Sequence, residues 1–262
     1  MALILMAVWD TVGNACTRHT VSTLYHLEKT VDWSKHRMII IDNGSVLATK
    51  TRLLAFDKAK KIWLPDNIGQ AQALNLGLAK RKKRELVIKM DNDVVIRQEG
   101  WIEDMEYALE KDPSLGIVAL KRRDAWEHPT SPRYTAHKTH LEMLQHHKWD
   151  KWMVVEISNS IVGTCIALRP EFLDKIGSFY QMGRKWGFID PILCTKAKAL
   201  MYRVAFLPHV DISYLGSYKT PEYKRWAYEQ SVEGKDFQAL GELQRRIIEG
   251  GEIYHEPRHR SV

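Results

Sequence analysis

Residues 87–96 read VIKMDNDVVI, a largely apolar run that contains two aspartates, Asp91 and Asp93. The β-branched residues predict a buried strand that ends at this pair. In an extended segment residues i and i+2 point the same way, so both carboxylates are expected to face one ligand while Asn92 faces away. Paired oxygen donors suit Mg²⁺ or Mn²⁺, which take further ligands from water and substrate phosphates. The alternative is a strand-to-turn junction that makes only local hydrogen bonds.

Strand and helix patterns alternate on the N-terminal side of this stretch. The strand candidates are ALILMAV, RMIII, KIWL and ELVIKM, and helical spacings of apolar residues separate them. This alternation predicts an α/β fold with a mainly parallel, doubly wound sheet, whose ligands bind at the carboxyl ends of the strands. The turn DNGS at 42–45 and the aspartate pair both lie at such ends. Their placement therefore supports a ligand site at that edge.

The composition fits one large α/β domain or two small ones. The chain has 262 residues, 45% hydrophobic and 27% charged, which excludes disordered and fibrous classes. A net charge of +7 favours an anionic partner such as nucleic acid, a phosphorylated substrate or an acidic lipid surface. No window approaches the roughly 20 apolar residues of a membrane span, so no transmembrane segment is expected. A reducing, cytoplasmic location is predicted from three separated cysteines, Cys16, Cys165 and Cys194.

Several stretches together resemble the family 2 glycosyltransferases, which have the GT-A fold. The donor-binding half of that family is similar to IIIDNGS at 39–45, NIGQAQALNLGL at 67–78, VIKMDNDVVI at 87–96 and Trp101. The resemblance resumes at 163–179 and 186–208, and it covers about two thirds of the chain in the right order. It implies a GT-A-like α/β fold, a mainly parallel sheet flanked by helices, with a helical C-terminal extension.

The resemblance also implies roles for single residues. Asp42 takes the place of the aspartate that bonds the nucleotide base, usually the uracil of a UDP-sugar. Of the pair, Asp93 is the expected direct ligand of a cation on the diphosphate. The alternative role of Asn75, together with Gly77, is close packing of the helix. His209 is implied to contact the metal or diphosphate, and Tyr214 is the alternative residue for that place. The implied nucleotide-sugar residues are Asp42, Asn67, Gly69, Asn75, Asp91 and Asn92, and the implied ligands of Mn²⁺ or Mg²⁺ are Asp91, Asp93 and His209.

The catalytic base that the resemblance implies is Asp190, in WGFIDPIL at 186–193. An inverting transferase needs a base to take the proton from the acceptor hydroxyl. The family usually has a Glu-Asp pair here, and in this chain Ile189 replaces the first acid. The alternative role is structural, because an aspartate followed by proline is a common helix start.

The acceptor is expected to bind in the second half of the chain. The predicted division is a GT-A-like domain over 1–219, with a donor half at 1–100 and an acceptor half at 101–219, and a basic helical extension over 220–262. Residues 121–152 interleave cations with aromatic residues, which suits a nucleic-acid backbone and a stacked base, such as a hydroxylated base of bacteriophage DNA. The same features also suit the sugars of a cell-surface glycan. The aromatic residues are Trp126, Tyr134, Trp149 and Trp152.

Other motifs point to weaker hypotheses. Five histidines between 128 and 147 lack a Cys partner or an HExxH arrangement, so zinc is disfavoured. KRKKR at 80–84 is interpreted as a solvated helix end. Arg169 and GRKWG at 183–187 are candidates to meet phosphate or acceptor, or form a solvated loop. The alternative from another class is a protein that binds a nucleotide-sugar without catalysis. A nucleotidyltransferase would need a glycine-rich phosphate loop, and WDTVGN at 9–14 supplies too little of one.

Overall fold

The computed structural model describes most of the chain, and statements of position refer to those residues. Several sequence predictions fall outside them, including Trp126, Tyr134, Trp149, four of the five clustered histidines, most of GRKWG and the segment 12–15. The described residues are 1–11, 16–122, 139–145, 152–182, 185, 188–216, 221, 225, 229 and 234–256.

The first half of the chain alternates strands with helices, as predicted. The strands β1 to β4 pair in parallel in the order β3-β2-β1-β4. Their carboxyl ends therefore lie at one edge of the sheet. The elements are β1 Ala2–Val8, α1 Thr17–Thr30, β2 Arg37–Asn43, α2 Leu47–Ala55, β3 Ala59–Leu64, α3 Gln70–Leu78 and β4 Leu86–Met90.

The second half continues the same sheet with mixed pairing. The full order is β3-β2-β1-β4-β9-β6-β10-β8-β7, and β5 pairs with β10. Because β9 runs antiparallel to both β4 and β6, its first residue lies beside Met90 at the edge where the parallel strands end. The elements are β5 Val94–Ile96, α4 Trp101–Lys111, β6 Leu115–Arg122, β7 Thr139–Gln145, β8 Trp152–Ser158, β9 Cys165–Leu168, α5 Pro170–Ile176, α6 Ile189–Ala199, β10 Arg203–Tyr214 and α7 Gly234–Ile248.

The strands of the first half are buried on both faces. Alternation along β1 sends Leu3 and Leu5 to the face that packs against α3, α5 and α6, and sends Ile4 and Met6 to the face that packs against α1 and α4. This is why β1 is a continuous apolar run rather than an alternating one. The two cores hold the strand ends in a fixed frame.

Helix α3 packs closely on the sheet at Gly77. A Cβ added to this residue would lie 2.8 Å from Leu5 Cδ2 and 3.0 Å from Ile41 Cδ1. These contacts are shorter than side chains tolerate. The predicted close-packing role of Gly77 therefore has a geometric basis.

Replacing Gly77 with alanine is expected to lower the free energy of unfolding by about 1–3 kcal/mol, because overpacking forces neighbouring side chains to move. Gly241 in α7 is a matched control, since nothing lies within 4 Å of an added Cβ there. Gly241→Ala is expected to stabilise the fold by about 0.5–1 kcal/mol. Urea unfolding of both variants measures the difference, and equal effects would contradict this packing.

The predicted C-terminal helix is present as α7 and packs on α6. Leu240, Leu243 and Ile247 contact Ile192 of α6 in a small apolar cluster. In the described ranges, no helix is long and apolar enough to cross a membrane.

Lys196 of α6 is fully buried, with 0% of its surface exposed. Its Nζ finds no hydrogen-bond partner among the residues that the structure describes. Burial lowers the pKa of Lys196 from 10.5 to about 8, although Glu252 opposes the shift. At neutral pH the folded protein therefore holds a poorly compensated cation.

The Lys196→Met variant is expected to be more stable than the wild type by about 1–3 kcal/mol at pH 7. As the pH rises from about 8 to 10.5, Lys196 of the folded protein loses its proton while the unfolded chain keeps it. Wild-type stability rises over this window, so the advantage of the variant should shrink. Urea unfolding from pH 7 to pH 10 tests this, and a constant difference would contradict it.

Candidate functional site

Polar side chains gather at the edge where β1 to β4 end. Asp42 is the second-to-last residue of β2, Asn67 follows β3, and Asp91 follows β4 directly. Asp190, far along the chain, joins them from the start of α6. Because β9 starts at this edge, Gly163 lies between Asp91 and Asp190.

Asp42 is fully buried, with 0% of its surface exposed. Its Oδ1 accepts a hydrogen bond from the Ser45 backbone N–H at 3.3 Å, and Lys50 Nζ lies 3.8 Å from Oδ2. Burial raises the pKa of Asp42, and contacts with Ser45 and Lys50 oppose the shift. Oδ2 has no hydrogen-bond partner among the described residues, and because it is also inaccessible to solvent, a ligand would reach it only after a local rearrangement.

Asn67 shapes the turn that precedes α3. Its Oδ1 accepts hydrogen bonds from the Gly69 N–H and the Asn43 amide, both at 2.9 Å. Gly69 has φ +96, which suits glycine, and an added Cβ would lie 2.8 Å from Gln181 Oε1. Both residues therefore build the wall of the site.

The aspartate pair does not lie on an extended strand. The strand β4 ends at Met90, and Asn92 and Asp93 form a turn that leads into β5. The expectation that period-two alternation aligns the two carboxylates is therefore wrong, because the chain turns here to pair β5 with β10. Asp91 is partly exposed at the site, whereas Asp93 is only 2% exposed.

Lys89 connects the aspartate pair to the second half of the chain. This lysine of β4 is 2% exposed, and its Nζ lies 2.7 Å from Asp91 Oδ1 and 3.9 Å from Asp190 Oδ1. It also donates to the Gly163 carbonyl oxygen. Although burial opposes the charged form, Asp91 and Asp190 raise the pKa of Lys89 above its ordinary value. A buried cation thus joins the two carboxylates.

Two further side chains at this edge were missed by the sequence interpretation. Gln70, at the start of α3, donates from Nε2 to Asp91 Oδ1 at 3.0 Å. Asp10, two residues after the end of β1 and 1% exposed, accepts hydrogen bonds from the Cys16 N–H at 3.0 Å and the Thr49 hydroxyl at 2.7 Å. The signal in each case is a polar residue directly at a predicted strand or helix end.

Asp190 occupies the first turn of α6 with its carboxylate directed to the loop before β9. Its Oδ2 accepts a hydrogen bond from the Gly163 N–H at 2.9 Å. The helix begins at Ile189 after Phe188, so Asp190 is not the N-cap residue that the structural alternative assumed. Ile189 is 4% exposed and packs in the apolar core, where an unpaired carboxylate would be costly.

Gly163 leaves room for the Asp190 carboxylate. A Cβ at this position would lie 1.7 Å from Asp190 Oδ1. We expect Gly163→Ala to displace the carboxylate and to lower the turnover of the proposed transfer reaction by about 10²-fold. Steady-state kinetics measures this, with Gly241→Ala as a control that leaves turnover unchanged. Full turnover in Gly163→Ala would show that the position of Asp190 does not matter.

His209 does not join the aspartate pair. It lies within β10 rather than after it, and its Nε2 is 3.0 Å from Asp104 Oδ2 on α4. The N–H of Leu215 donates to the Asp93 carbonyl oxygen. His209 lies six residues before Leu215, which corresponds to roughly 20 Å along an extended strand. The alternative, Tyr214, ends β10 nearer the pair and stacks on Arg122, with 3.5 Å from Cζ to the ring centroid.

Three other predicted contacts have structural partners. Asn75 exchanges two 2.9 Å hydrogen bonds with the backbone of Phe179, which supports the packing alternative. The Asn92 amide donates to Thr20 Oγ1 of α1 at 2.7 Å. Arg169 donates to the carbonyl oxygens of Asp112, just after α4, and of Leu115, the first residue of β6. These lie away from the edge that holds the aspartates, so Arg169 meets neither phosphate nor acceptor there.

The carboxylates suit a cation only together with a substrate phosphate. No group of three or more His, Cys, Asp or Glu side chains that could hold a metal occurs in the part of the chain described by the structure. Mg²⁺ sites often use one or two protein carboxylates and complete the shell with phosphates and water. Asp91 is partly exposed and fits that mode, whereas Asp93 is only 2% exposed and would have to turn outward to join it.

Comparison with known proteins places this geometry in context. The family model described as Glycosyl transferase family 2 matches residues 15–177, more than half of the chain. Uncharacterized protein y4gI of Sinorhizobium fredii is 22% identical in an alignment of 254 positions that covers 87% of this chain and 28% of that protein. The chain therefore spans less than a third of the length of this curated relative.

Solved structures show the same architecture. Mannosyltransferase PcManGT from Pyrobaculum calidifontis, in complex with GDP-Man and Mn²⁺, is 15% identical with a TM-score of 0.63, over 94% of this chain and 69% of that one. S. aureus TarS 1-349 in complex with UDP is 14% identical with a TM-score of 0.62, and the match covers 94% of this chain and 65% of that chain. GalNAc-T7 with UDP, GalNAc and Mn²⁺ is 14% identical with a TM-score of 0.58, over 94% and 54%. These likenesses confirm the GT-A-like fold.

Proposed function

Because the chain belongs to glycosyl transferase family 2, we propose that it transfers a sugar from a nucleotide-sugar, a UDP-sugar, to an acceptor hydroxyl with inversion. The observation that carries the proposal is the cluster of Asp91, Lys89 and Asp190 at the sheet edge. Donor-side and acceptor-side carboxylates meet there through one buried cation. A donor bound over β1 to β4 would thus lie beside a candidate base.

The donor base is proposed to bind at Asp42. Its buried Oδ2 has no hydrogen-bond partner in the described ranges, and the imide N–H of uracil is a matching donor. A buried acceptor without a donor is costly, so a ligand that supplies one gains affinity. Asn67 and Gly69 would border the ribose and diphosphate by shaping the turn before α3.

A divalent cation, Mn²⁺ or Mg²⁺, is proposed to be held by Asp91 and Asp93 together with the donor diphosphate. When bound, such an ion neutralises the charge of the departing nucleotide. Two of the similar structures contain Mn²⁺ with a nucleotide or nucleotide-sugar, which supports this choice. Lys89 and Gln70 would fix the orientation of the Asp91 carboxylate.

Asp190 is proposed to act as the base. One of its carboxylate oxygens would take the proton from the acceptor hydroxyl, whose oxygen forms a bond to the anomeric carbon. The bond from that carbon to the diphosphate breaks, and the nucleotide diphosphate leaves. Attack from the face opposite the leaving group inverts the anomeric centre.

The acceptor is proposed to be a hydroxylated base in nucleic acid, with a surface glycan as the alternative. The donor would occupy 1–100 and the acceptor 101–219. Within the basic aromatic segment the structure describes Trp152, which is 52% exposed on β8 and available for stacking. A cytoplasmic location is proposed from three buried, widely separated cysteines, Cys16, Cys165 and Cys194. Transfer to glycan acceptors only, with none to hydroxylated DNA, would reject the nucleic-acid acceptor.

Binding of a nucleotide panel tests the donor assignment. Thermal shifts with UDP, GDP, ADP and their sugar conjugates, each with and without Mn²⁺, should be largest for UDP compounds with Mn²⁺. Asp42→Asn should reduce the preference for uracil, because it replaces the acceptor beside the base. Equal shifts for all bases would reject the role of Asp42, and no shift for any nucleotide would reject the donor site.

A further inference from the structure

A dense group of cations lies at the sheet edge opposite the candidate site. The loop between α3 and β4 carries Lys80, Arg81, Lys82, Lys83 and Arg84. Since β4 starts where this loop ends, the loop lies at the amino ends of the parallel strands. It is therefore separate from the edge that holds the aspartates.

Two residues anchor this loop to the fold. Arg81 Nη1 lies 2.8 Å from Asp174 Oδ1, and Nη2 donates to the Pro170 carbonyl oxygen at 3.2 Å. Glu85 accepts from Arg37 Nε at 2.7 Å and from the Lys82 N–H at 2.8 Å. The backbone of the loop is thus held in one shape, and its remaining cations are presented from a rigid support.

The other four cations of the loop point to solvent. Lys80, Lys82, Lys83 and Arg84 are all exposed, and none forms a salt bridge with an acid in the described part of the chain. The interpretation of KRKKR as a helix end is incomplete, because α3 ends at Leu78 and the cations lie beyond it. No acidic side chain of the described residues neutralises these four charges by a salt bridge.

Two more exposed lysines extend this group across the sheet. Arg37 Nη2 donates to the Lys80 carbonyl oxygen at 2.8 Å, which places the loop beside β2. The neighbouring strand β3 begins next to Arg37, and it carries Lys60 with Lys58 just before it. Lys58 pairs with the exposed Asp57 at 3.2 Å, so its charge is partly compensated. We call the six exposed residues the basic edge: Lys58, Lys60, Lys80, Lys82, Lys83 and Arg84.

We propose that the basic edge binds the phosphate backbone of nucleic acid. The strands β3 and β4 are three strand spacings apart, so the cations extend over roughly 14 Å. Lysines on a rigid support suit a line of phosphates, and backbone contacts of this kind give affinity without sequence specificity. None of the exposed large hydrophobic side chains lies on the loop itself, and although Met1 and Leu54 are exposed at this edge, charge rather than apolar area dominates the surface.

The proposal is independent of the donor site. A nucleic acid held at the basic edge lies across the sheet from Asp91 and Asp190, so these contacts would retain a polymer rather than present its reacting hydroxyl. Binding can be measured without any nucleotide-sugar. Failure of the transferase proposal and failure of this one are therefore distinguishable.

Fluorescence anisotropy with a labelled DNA duplex of about 30 base pairs and random sequence tests the proposal. The test variant carries Lys80→Gln, Lys82→Gln, Lys83→Gln and Arg84→Asn. Asparagine is chosen at Arg84 because φ is +59 there. At about 100 mM KCl the affinity should fall at least about tenfold, and the slope of log K against log salt should become shallower by about 0.9 for each phosphate that the variant no longer neutralises.

The control variant removes four exposed cations that are not part of the basic edge, by Lys29→Gln, Arg97→Gln, Lys198→Gln and Arg245→Gln. It has the same net charge and is expected to lose less than about threefold in affinity. Equal weakening in both variants would overturn the proposal, as would a wild type that binds phosphatidylserine vesicles but no DNA. If the fourfold variant unfolds, Lys82→Gln with Lys83→Gln should still reduce the salt slope, and an unchanged slope would overturn the proposal.

Discussion

Replacing Asp190 with asparagine is expected to lower kcat by roughly 10² to 10⁴ while leaving nucleotide affinity nearly unchanged. Asparagine keeps the size of the side chain and an oxygen that can accept from the Gly163 N–H, which lies 2.9 Å from Oδ2. It cannot take a proton from an acceptor hydroxyl. Turnover should therefore fall without loss of the surrounding loop structure.

Three measurements separate the catalytic role of Asp190 from a structural one. Steady-state kinetics gives kcat, calorimetry gives the Kd of UDP, and thermal unfolding gives Tm. A base predicts a large loss of kcat with little change in Kd or Tm. A lower Tm and weaker UDP binding with unchanged kcat would instead make Asp190 a support for the loop before β9.

Replacing Lys89 with methionine is expected to lower kcat by about 10², because carboxylate placement depends on this cation. Methionine has a similar length and no charge. Asp91 and Asp190 would lose their shared partner, which lies 2.7 and 3.9 Å from them. The free energy of unfolding should also fall by about 1–3 kcal/mol, since Asp91 and the buried carbonyl oxygen of Gly163 both lose a donor.

Lys196→Met is the matched control for Lys89→Met. Both lysines are buried, at 0% and 2% exposure, but only Lys89 has carboxylate partners within 4 Å in the described residues. The control should keep its turnover and gain stability. A positioning role for Lys89 further predicts that kcat falls far more than the KM for the donor rises. Equal kinetic effects of both substitutions would contradict it.

The fold of the first half was predictable because its signals are local. The apolar runs of β1 and β2 and the turn at 42–45 mark strand ends without reference to distant residues. The strand pairing beyond β4 was not predictable from the sequence, because the insertion of β9 between β4 and β6 depends on contacts between segments far apart in sequence. Mixed pairing therefore appeared only in the structure.

The candidate site was predictable in its carboxylates and not in its connections. Asp42, Asp91 and Asp190 reach one edge of the sheet, as expected from their places at strand and helix ends. Lys89 was missed because it sits inside an apolar run, although a buried lysine is costly without a partner, which makes a lysine in a buried strand a signal in itself. That partner set includes Gly163 and Asp190, which no local pattern reveals.

Two assignments that the family resemblance implied are not supported by the contacts of those side chains. His209 follows an apolar run, yet the strand β10 continues past it to Tyr214, so its ring meets Asp104. Asn75 lies on the face of α3 that meets Phe179, where a buried backbone needs an amide partner. Helix and strand lengths decide such cases, and they depend on tertiary packing.

Release of UDP from UDP-sugars in the presence of Mn²⁺ tests the central claim most directly. The wild-type chain is expected to release UDP from at least one sugar of a UDP-sugar panel, and a chelator should abolish release. Asp93→Asn should reduce the rate by about 10² or more, since it weakens the carboxylate pair at the diphosphate. No release from any nucleotide-sugar, or an unchanged rate in Asp93→Asn, would contradict the assignment of this edge as a sugar-transfer site.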